Sequence, residues 1–145
     1  MKIRPITPDD SEAILEWRND PQTRAMSRNH DAVSLENHER WFQKAIVDPN
    51  RVLVMGVIEN RNIGLVRFDK DGAAWEVGIN LNPVERGKGF GADLLGSAIQ
   101  HFRQVKPNQK LTAVIRPDNG ASRKIFEACG FRWMDRRAEH DHFEA

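Results

Sequence analysis

Six consecutive residues, Arg86-Gly87-Lys88-Gly89-Phe90-Gly91, place three glycines and two cations between a strand-like run and an amphipathic helical run. Glycine accepts positive φ and lets a backbone come close to a ligand. A helix N-terminus adds free N–H groups and partial positive charge. Together these make a cradle for a phosphate or pyrophosphate, with Arg86 and Lys88 supplying further charge. An ordinary strand-to-helix turn can have the same composition, so the flanks decide. Two other residues could move protons. Glu76 lies on the polar side of an alternating strand, where a solvated or ion-paired glutamate is the competing reading. His38 is the fallback base, because free histidine titrates near neutrality. The five histidines and single cysteine show no metal-ligand spacing, so no metal is expected. His140-Asp141-His142 is their only cluster, and it sits in a polar terminal stretch.

The elements that must hold these residues can be read from periodicity. Lys2 to Ile6 reads as a strand, and Thr7-Pro8-Asp9-Asp10 as a helix start with an N-cap, a first-turn proline and acids. Ala13, Ile14 and Trp17 give that helix an apolar stripe. A polar stretch from Arg18 to Asp31 precedes a second helix, from near Ser34 to about Val47. Val52 to Glu59 is almost continuously apolar, as a central strand is. Ile63 to Phe68 is the next strand. In the one after it, Trp75, Val77, Ile79 and Leu81 alternate with Glu76, Gly78, Asn80 and Asn82. The glycine loop then opens a helix carrying Leu94, Leu95, Ala98, Ile99 and Phe102. Leu111 to Ile115, a helix from Asn119 to Ala128, the stop at Gly130 and a closing strand from Phe131 to Met134 complete the chain. The order β-α-α-β-β-β-α-β-α-β predicts a mixed α/β sheet of about six to seven strands in one domain, residues 1–145. It matches neither a P-loop nor a Rossmann unit.

Composition sets the class. A net charge of +1 gives no nucleic-acid surface, and charged residues make up 30% of the chain with interspersed signs, as on a solvated exterior. The lone Cys129 excludes an internal disulfide and, between Ala128 and Gly130, reads as a packing residue. No apolar run reaches membrane-span length, and MKIRPITPDD lacks a signal-peptide core, so a cytoplasmic protein is expected.

With those elements in place, the chain resembles the GNAT superfamily of acyl-CoA-dependent N-acetyltransferases. Arg86 to Gly91 matches that family's Q/R-x-x-G-x-G/A signature, and Asn119-Gly120-Ala121-Ser122 with Gly130-Phe131 resembles its N-x-x-S/A…G-F segment. Glu76-Val77-Gly78 and Leu81-Asn82-Pro83 resemble the family's fourth strand. The resemblance implies acetyl-CoA as cosubstrate. Its pyrophosphate would lie on the amides of Arg86, Gly87, Lys88, Gly89, Phe90 and Gly91, and its pantetheine would pair with the main chain at Ile79 and Leu81. Asn119 and Ser122 match cofactor-contacting positions. It further implies that the Leu81 N–H polarises the thioester, with Glu76 as general base. An alkyl ammonium has a pKa of about 10, so Glu76 would relay the proton through water or act on an amine of lowered pKa.

Trp17-Arg18-Asn19-Asp20 and Ser34 to His38 resemble a subgroup that acetylates nucleotide-activated amino sugars, including the acetyltransferase of pseudaminic acid biosynthesis. Similar segments occur in ribosomal-protein and polyamine acetyltransferases, which are the alternatives. Arg18, Asn19, Arg24 and His38 are the expected acceptor contacts, whereas Trp17 and Trp41 read as core. A small-molecule amine partner is implied, and a homodimer is compatible with the reading. Many relatives carry a tyrosine acid where this chain has Phe126, and the chain contains no tyrosine. A non-catalytic acyl-CoA sensor is therefore the reading from a different class.

Overall fold

The computed structural model describes residues 1–27 and 30–145. The strands are β1 (Lys2–Pro5), β2 (Arg51–Ile58), β3 (Arg61–Asp71), β4 (Ala74–Leu81), β5 (Lys110–Ile115), β6 (Arg132–Arg137) and β7 (His140–Glu144). The helices are α1 (Ser11–Asn19), α2 (Pro21–Met26), α3 (Leu35–Ala45), α4 (Phe90–Val105) and α5 (Gly120–Ala128). One seven-stranded sheet runs β1-β2-β3-β4-β5-β7-β6. Only β4 and β5 are parallel neighbours.

Apolar side chains on both sheet faces explain the layers. Val54, Val66, Phe68, Trp75 and Val77 join Leu94, Leu95, Ala98 and Phe102 of α4, and Phe126 of α5, in the larger core. There the Phe68 and Phe102 rings stack at 4.3 Å. On the opposite face Leu53, Met55 and Leu65 pack against Ile14 and Trp17 of α1 and Phe42 and Ala45 of α3. β2 feeds alternate residues to the two cores, which is why its sequence is continuously apolar.

The expected mixed α/β architecture is present, with two additions. Pro21–Met26 forms a short helix within the polar stretch. Its N-cap is Asp20, whose carboxylate accepts from the Thr23 N–H at 3.1 Å. The terminal stretch is also a strand, not a tail. β7 inserts between β5 and β6 and buries Phe143 and Asp141. Two features conceal this in the sequence. The hairpin turns through Ala138 and Glu139 at φ 49° and 64°, without the usual Asn-Gly signal. Its buried polar residue, Asp141, accepts from Trp133 Nε1 at 3.1 Å and Arg136 Nε at 2.8 Å. The Arg136 guanidinium and the indole N–H hold the Asp141 carboxyl below the usual carboxylate range.

Helix α4 is seated on a pair of glycines. Gly56 of β2 and Gly64 of β3 are cross-strand partners. A Cβ on either would run into Leu94, at 2.7 Å from its Cδ2 in the case of Gly64. Gly96, within α4, has room for a methyl group, its hypothetical Cβ standing in ordinary contact 3.9 Å from Cys129 Sγ. Gly56→Ala is therefore expected to destabilise the fold by about 1–3 kcal/mol through overpacking. Gly96→Ala should stabilise it by about 0.5–1 kcal/mol through helix propensity. Urea denaturation of the two variants checks the opposite signs.

Candidate active site

The site begins where the sheet comes apart. β3 and β4 are paired from Gly64–Leu81 to Asp71–Ala74. β4 and β5 pair only at Ala74–Lys110, Trp75–Leu111 and Glu76–Thr112. Beyond Thr112, β5 follows β7 through Ile115–Asp141, while β4 stays with β3. A wedge opens between them. The Asn82 N–H donates to Ile63 O at 2.9 Å. Alternation along an antiparallel ladder then turns the backbone groups of Val77, Ile79 and Leu81 away from β3 and towards this wedge. Buried backbone groups need partners, so the wedge edge of β4 is prepared for an extended ligand.

The glycine loop closes one end of the wedge. Gly87 and Gly89 have φ of 74° and 78°, and Gly89 is the N-cap of α4. No atom lies within 4 Å of a Cβ built on either. Their role is conformational: the loop turns in a left-handed geometry so that the first-turn amides of α4 face outward. Gly91 has a different role. Its missing Cβ faces Ile125 of α5, so this glycine sets the α4–α5 contact, while its backbone lines the same cavity as the loop. A cavity of about 530 Å³ lies against the loop, reaching Ile79 and Leu81 on β4 and Asn119 and Ser122 on α5. That is the size range of small-molecule sites. Asn119 caps α5, its Oδ1 accepting from the Ser122 N–H at 3.1 Å.

The loop cations are not idle. Arg86 Nη2 pairs with Asp20 Oδ2 at 2.7 Å and also donates to Thr23 Oγ1. The Arg86 guanidinium holds the Asp20 carboxyl below its usual range. Lys88 pairs with the buried Glu85 at 3.2 Å, and Arg61 reaches the same carboxylate at 3.3 Å. The loop's backbone and the α4 N-terminus thus carry the anion-binding geometry, and the two cations are positioned by carboxylates of the chain.

A second cavity opens on the α1–α3 face. Arg18, Trp41, Arg67, Ile79 and Asn80 line it, with Thr23 and Ser27 of the α2 segment and Asp31 at the rim. Ile79 is shared with the first cavity, so the two meet at β4. The residues expected as acceptor contacts separate here. Arg18 lines the cavity, its guanidinium 4.6 Å from the Trp41 ring centre. Trp17 is buried as expected, but Trp41 is only partly buried and forms cavity wall. Asn19 is occupied elsewhere. It brackets Val33 through Nδ2 to O at 2.8 Å and N to Oδ1 at 2.7 Å, tying the loop before α3 to α1. Arg24 donates to His30 O at 3.0 Å and is not part of the cavity wall.

His38, expected as an acceptor contact, is not among the described residues lining this cavity. It is fully buried. Nε2–H donates to Ser11 O at 2.9 Å, which leaves Nδ1 to accept from Arg18 Nη1 at 3.1 Å. The ring is a neutral spacer that aims Arg18. Burial pushes its pKa below the ordinary 6.5, opposed by the bond to Ser11 and reinforced by the charge of Arg18.

Glu76 is directly opposite Asp69 on β3 and Thr112 on β5, at the closed end of the wedge. It shares a face with Gly78 and Asn80. Arg67 lies over Gly78, within 2.6 Å of where a Cβ would stand, and so occupies the face between Glu76 and Asn80. Arg67 escaped the sequence reading. Its signal is a cation interrupting the apolar run Ile63 to Phe68. Phe126 is buried edge-on against Phe131 at 5.0 Å and borders the wedge. Cys129 Sγ–H donates to Ala92 O at 3.4 Å, and burial raises its pKa, in keeping with a packing role.

The family model for the acetyltransferase (GNAT) domain matches residues 1–132. An uncharacterized N-acetyltransferase of Bacillus subtilis, YfmK, is 27% identical over 133 residues, covering 90% of this chain and 84% of that protein. Among solved structures, a spermidine N-acetyltransferase from Vibrio cholerae, in complex with CoA and spermine, superposes with a TM-score of 0.86. It is 19% identical, with 99% of this chain and 92% of that one covered. A ribosomal-protein-alanine N-acetyltransferase from Brucella melitensis gives 0.83 at 22% identity, covering 100% and 99%.

Two outcomes follow from this geometry. Gly89→Val should weaken acetyl-CoA binding in calorimetry by forcing a β-branched residue to positive φ. Gly91→Val should chiefly lower thermal stability, through Ile125. For His38 the sign follows from linkage. Its folded pKa lies below 6.5, so the unfolded chain takes the proton first, and stability falls as pH drops through that value. Denaturation midpoints of the wild type should decline as pH falls below about 6.5, a slope that His38→Asn should flatten.

Proposed function

Since the chain belongs to the GNAT acetyltransferase family, we propose that it transfers the acetyl group of acetyl-CoA to a primary amine held in the Arg18–Asn80 cavity, by direct attack on the thioester. The carrying observation is the wedge between β4 and β5, whose unpaired β4 edge runs from Val77 to Leu81 beside the glycine loop. The pantetheine would pair with Ile79 and Leu81, and the pyrophosphate would rest on the amides from Arg86 to Gly91. The Asn119 and Ser122 side of the cavity would complete the cofactor site. The amine nitrogen attacks the acetyl carbon, the Leu81 N–H supports the oxyanion, and the C–S bond breaks to release thiolate. Thiols are acidic enough, at a pKa of about 8.5, to leave without the tyrosine that Phe126 replaces.

Glu76 takes the ammonium proton in this reading. It does not border the acceptor cavity directly, so the proton would travel through water past Arg67. A second candidate has an observation in its favour: Asp31 stands at the rim of that cavity. Family membership favours turnover over a silent acyl-CoA sensor. For the acceptor, the resemblance to the nucleotide-linked amino-sugar subgroup now rests on Arg18. Trp17, Asn19 and His38 serve packing and positioning.

A CoA-release screen over nucleotide-linked amino sugars, polyamines and peptides tests the assignment. Turnover with an amino-sugar nucleotide is the expected outcome. Efficient acetylation of a polyamine or peptide alone removes the subgroup while keeping the acetyltransferase. Glu76→Gln should lower kcat by roughly tenfold or more and change the acidic limb of the pH–rate profile, with acetyl-CoA affinity retained. An unaltered profile, together with a changed one in Asp31→Asn, would transfer the base role to Asp31.

A further inference from the structure

We infer that Arg18 and Arg67 form an anion clamp in the acceptor cavity, and that the acceptor amine therefore carries its own phosphate or carboxylate. This rests on the acetyltransferase reading for the amine and extends it to the rest of the acceptor molecule.

Arg18 and Arg67 come from different elements, α1 and β3, yet both line the same cavity. Neither could have drifted there. Arg18 is held from behind by the buried His38 and from one side by the Trp41 ring. Arg67 lies over Gly78, the one β4 position on that face without a side chain. Their charges are incompletely answered. Among the described residues, Arg18 pairs with no carboxylate. Its hydrogen-bond partner is an imidazole nitrogen, which carries no charge in the tautomer described above. Arg67 Nη1 meets Asp69 at 3.2 Å, but Asp69 also faces Arg51 at 3.6 Å. Among the described residues of the cavity wall, the one acidic residue is Asp31, which is exposed at the rim and engaged in interactions of its own. The remaining polar wall, Thr23, Ser27 and Asn80, is neutral. Burial, and then the charge of Arg67, depress the pKa of Arg18. Two guanidinium groups sharing a half-enclosed space with this little countercharge favour an oxyanion between them. The planar donor fork suits phosphate or carboxylate oxygens.

The clamp also orients the acceptor. Ile79 borders both cavities, so an amine beside Ile79 lies next to the thioester site while the anion occupies the arginine side. A polycation would meet two positive charges there, which selects against polyamines.

Matched probes test this. Ethanolamine phosphate against ethanolamine, glucosamine 6-phosphate against glucosamine, and β-alanine against propylamine differ only in the anion. Each would be titrated calorimetrically into the full chain saturated with CoA, so that the glycine loop is already filled, and each would be assayed for CoA release with acetyl-CoA. The anionic member of at least one pair should bind and turn over roughly tenfold or more better, the phosphate and carboxylate pairs distinguishing which oxyanion is preferred. Arg18→Gln and Arg67→Gln should each abolish that preference by raising KM with little change in kcat. Arg67→Lys should restore part of it. Arg40→Gln, which removes a surface charge paired to Glu36, should leave it intact. Arg51 remains on Asp69 when Arg67 is changed, so the fold should hold, as a melting curve will verify. Equal affinity for the members of every pair, or equal losses with and without the anion in Arg67→Gln, overturns the clamp. Arginine-dependent anion binding with no CoA release keeps the clamp and overturns the transferase reading. CoA release that favours neutral amines does the reverse.

Discussion

Everything in the site depends on the point at which β4 and β5 stop pairing. Their parallel ladder is only three residue pairs long inside a seven-stranded sheet. It ends because each strand is bound more extensively to its other neighbour. β4 is held by β3 along its whole length, and β5 is held by β7 from Thr112 to Ile115. The two halves of the sheet follow different partners and diverge. The result is a strand edge in the middle of the molecule, with the N-terminus of α4 at its mouth. Edges are normally hazards that proteins cover. Here the glycine loop, α2 and α5 flank it, so the backbone groups that face away from β3 meet a half-open cavity.

Placement of α4 is the second condition. Its first turn can serve the wedge only if the helix lies close to the sheet, and the Gly56–Gly64 pair beneath Leu94 permits that approach. Gly91 against Ile125 fixes the neighbouring α5 in the same manner. Gly56, Gly64 and Gly91 are therefore used for close approach, and Gly87 and Gly89 for backbone conformation.

The two cavities are also linked mechanically. Asp20 caps α2 through Thr23 and pairs with Arg86 of the glycine loop. Thr23 and Ser27 border both cavities. On the other side, Ser11, His38 and Arg18 form a chain of hydrogen bonds from the interior to the wall of the second cavity. His38 can perform this only while neutral, since a protonated ring would offer Arg18 a donor instead of an acceptor. The same burial that depresses its pKa keeps it in that state.

Local chemistry alone made the element order, the glycine loop and its helix, the alternating β4 and the two-sided β2 legible, because each depends on periodicity or on a residue's own backbone freedom. The family resemblance was legible for the same reason, since the segments that carry it, residues 86–91 and 119–122, are short and local. Tertiary structure decided what no local pattern records. It turned the polar segment His140–Glu144 into an inserted strand, since Asp141 is neutralised by Arg136 and Trp133 from the neighbouring strand. It placed His38 on Arg18 and Asn19 on Val33. It brought in Arg67, whose place over Gly78 exists only through the β3–β4 register. Sequence determines which groups a residue can offer, and the partner of each group is set by the elements that pack around it, which lie far away along the chain.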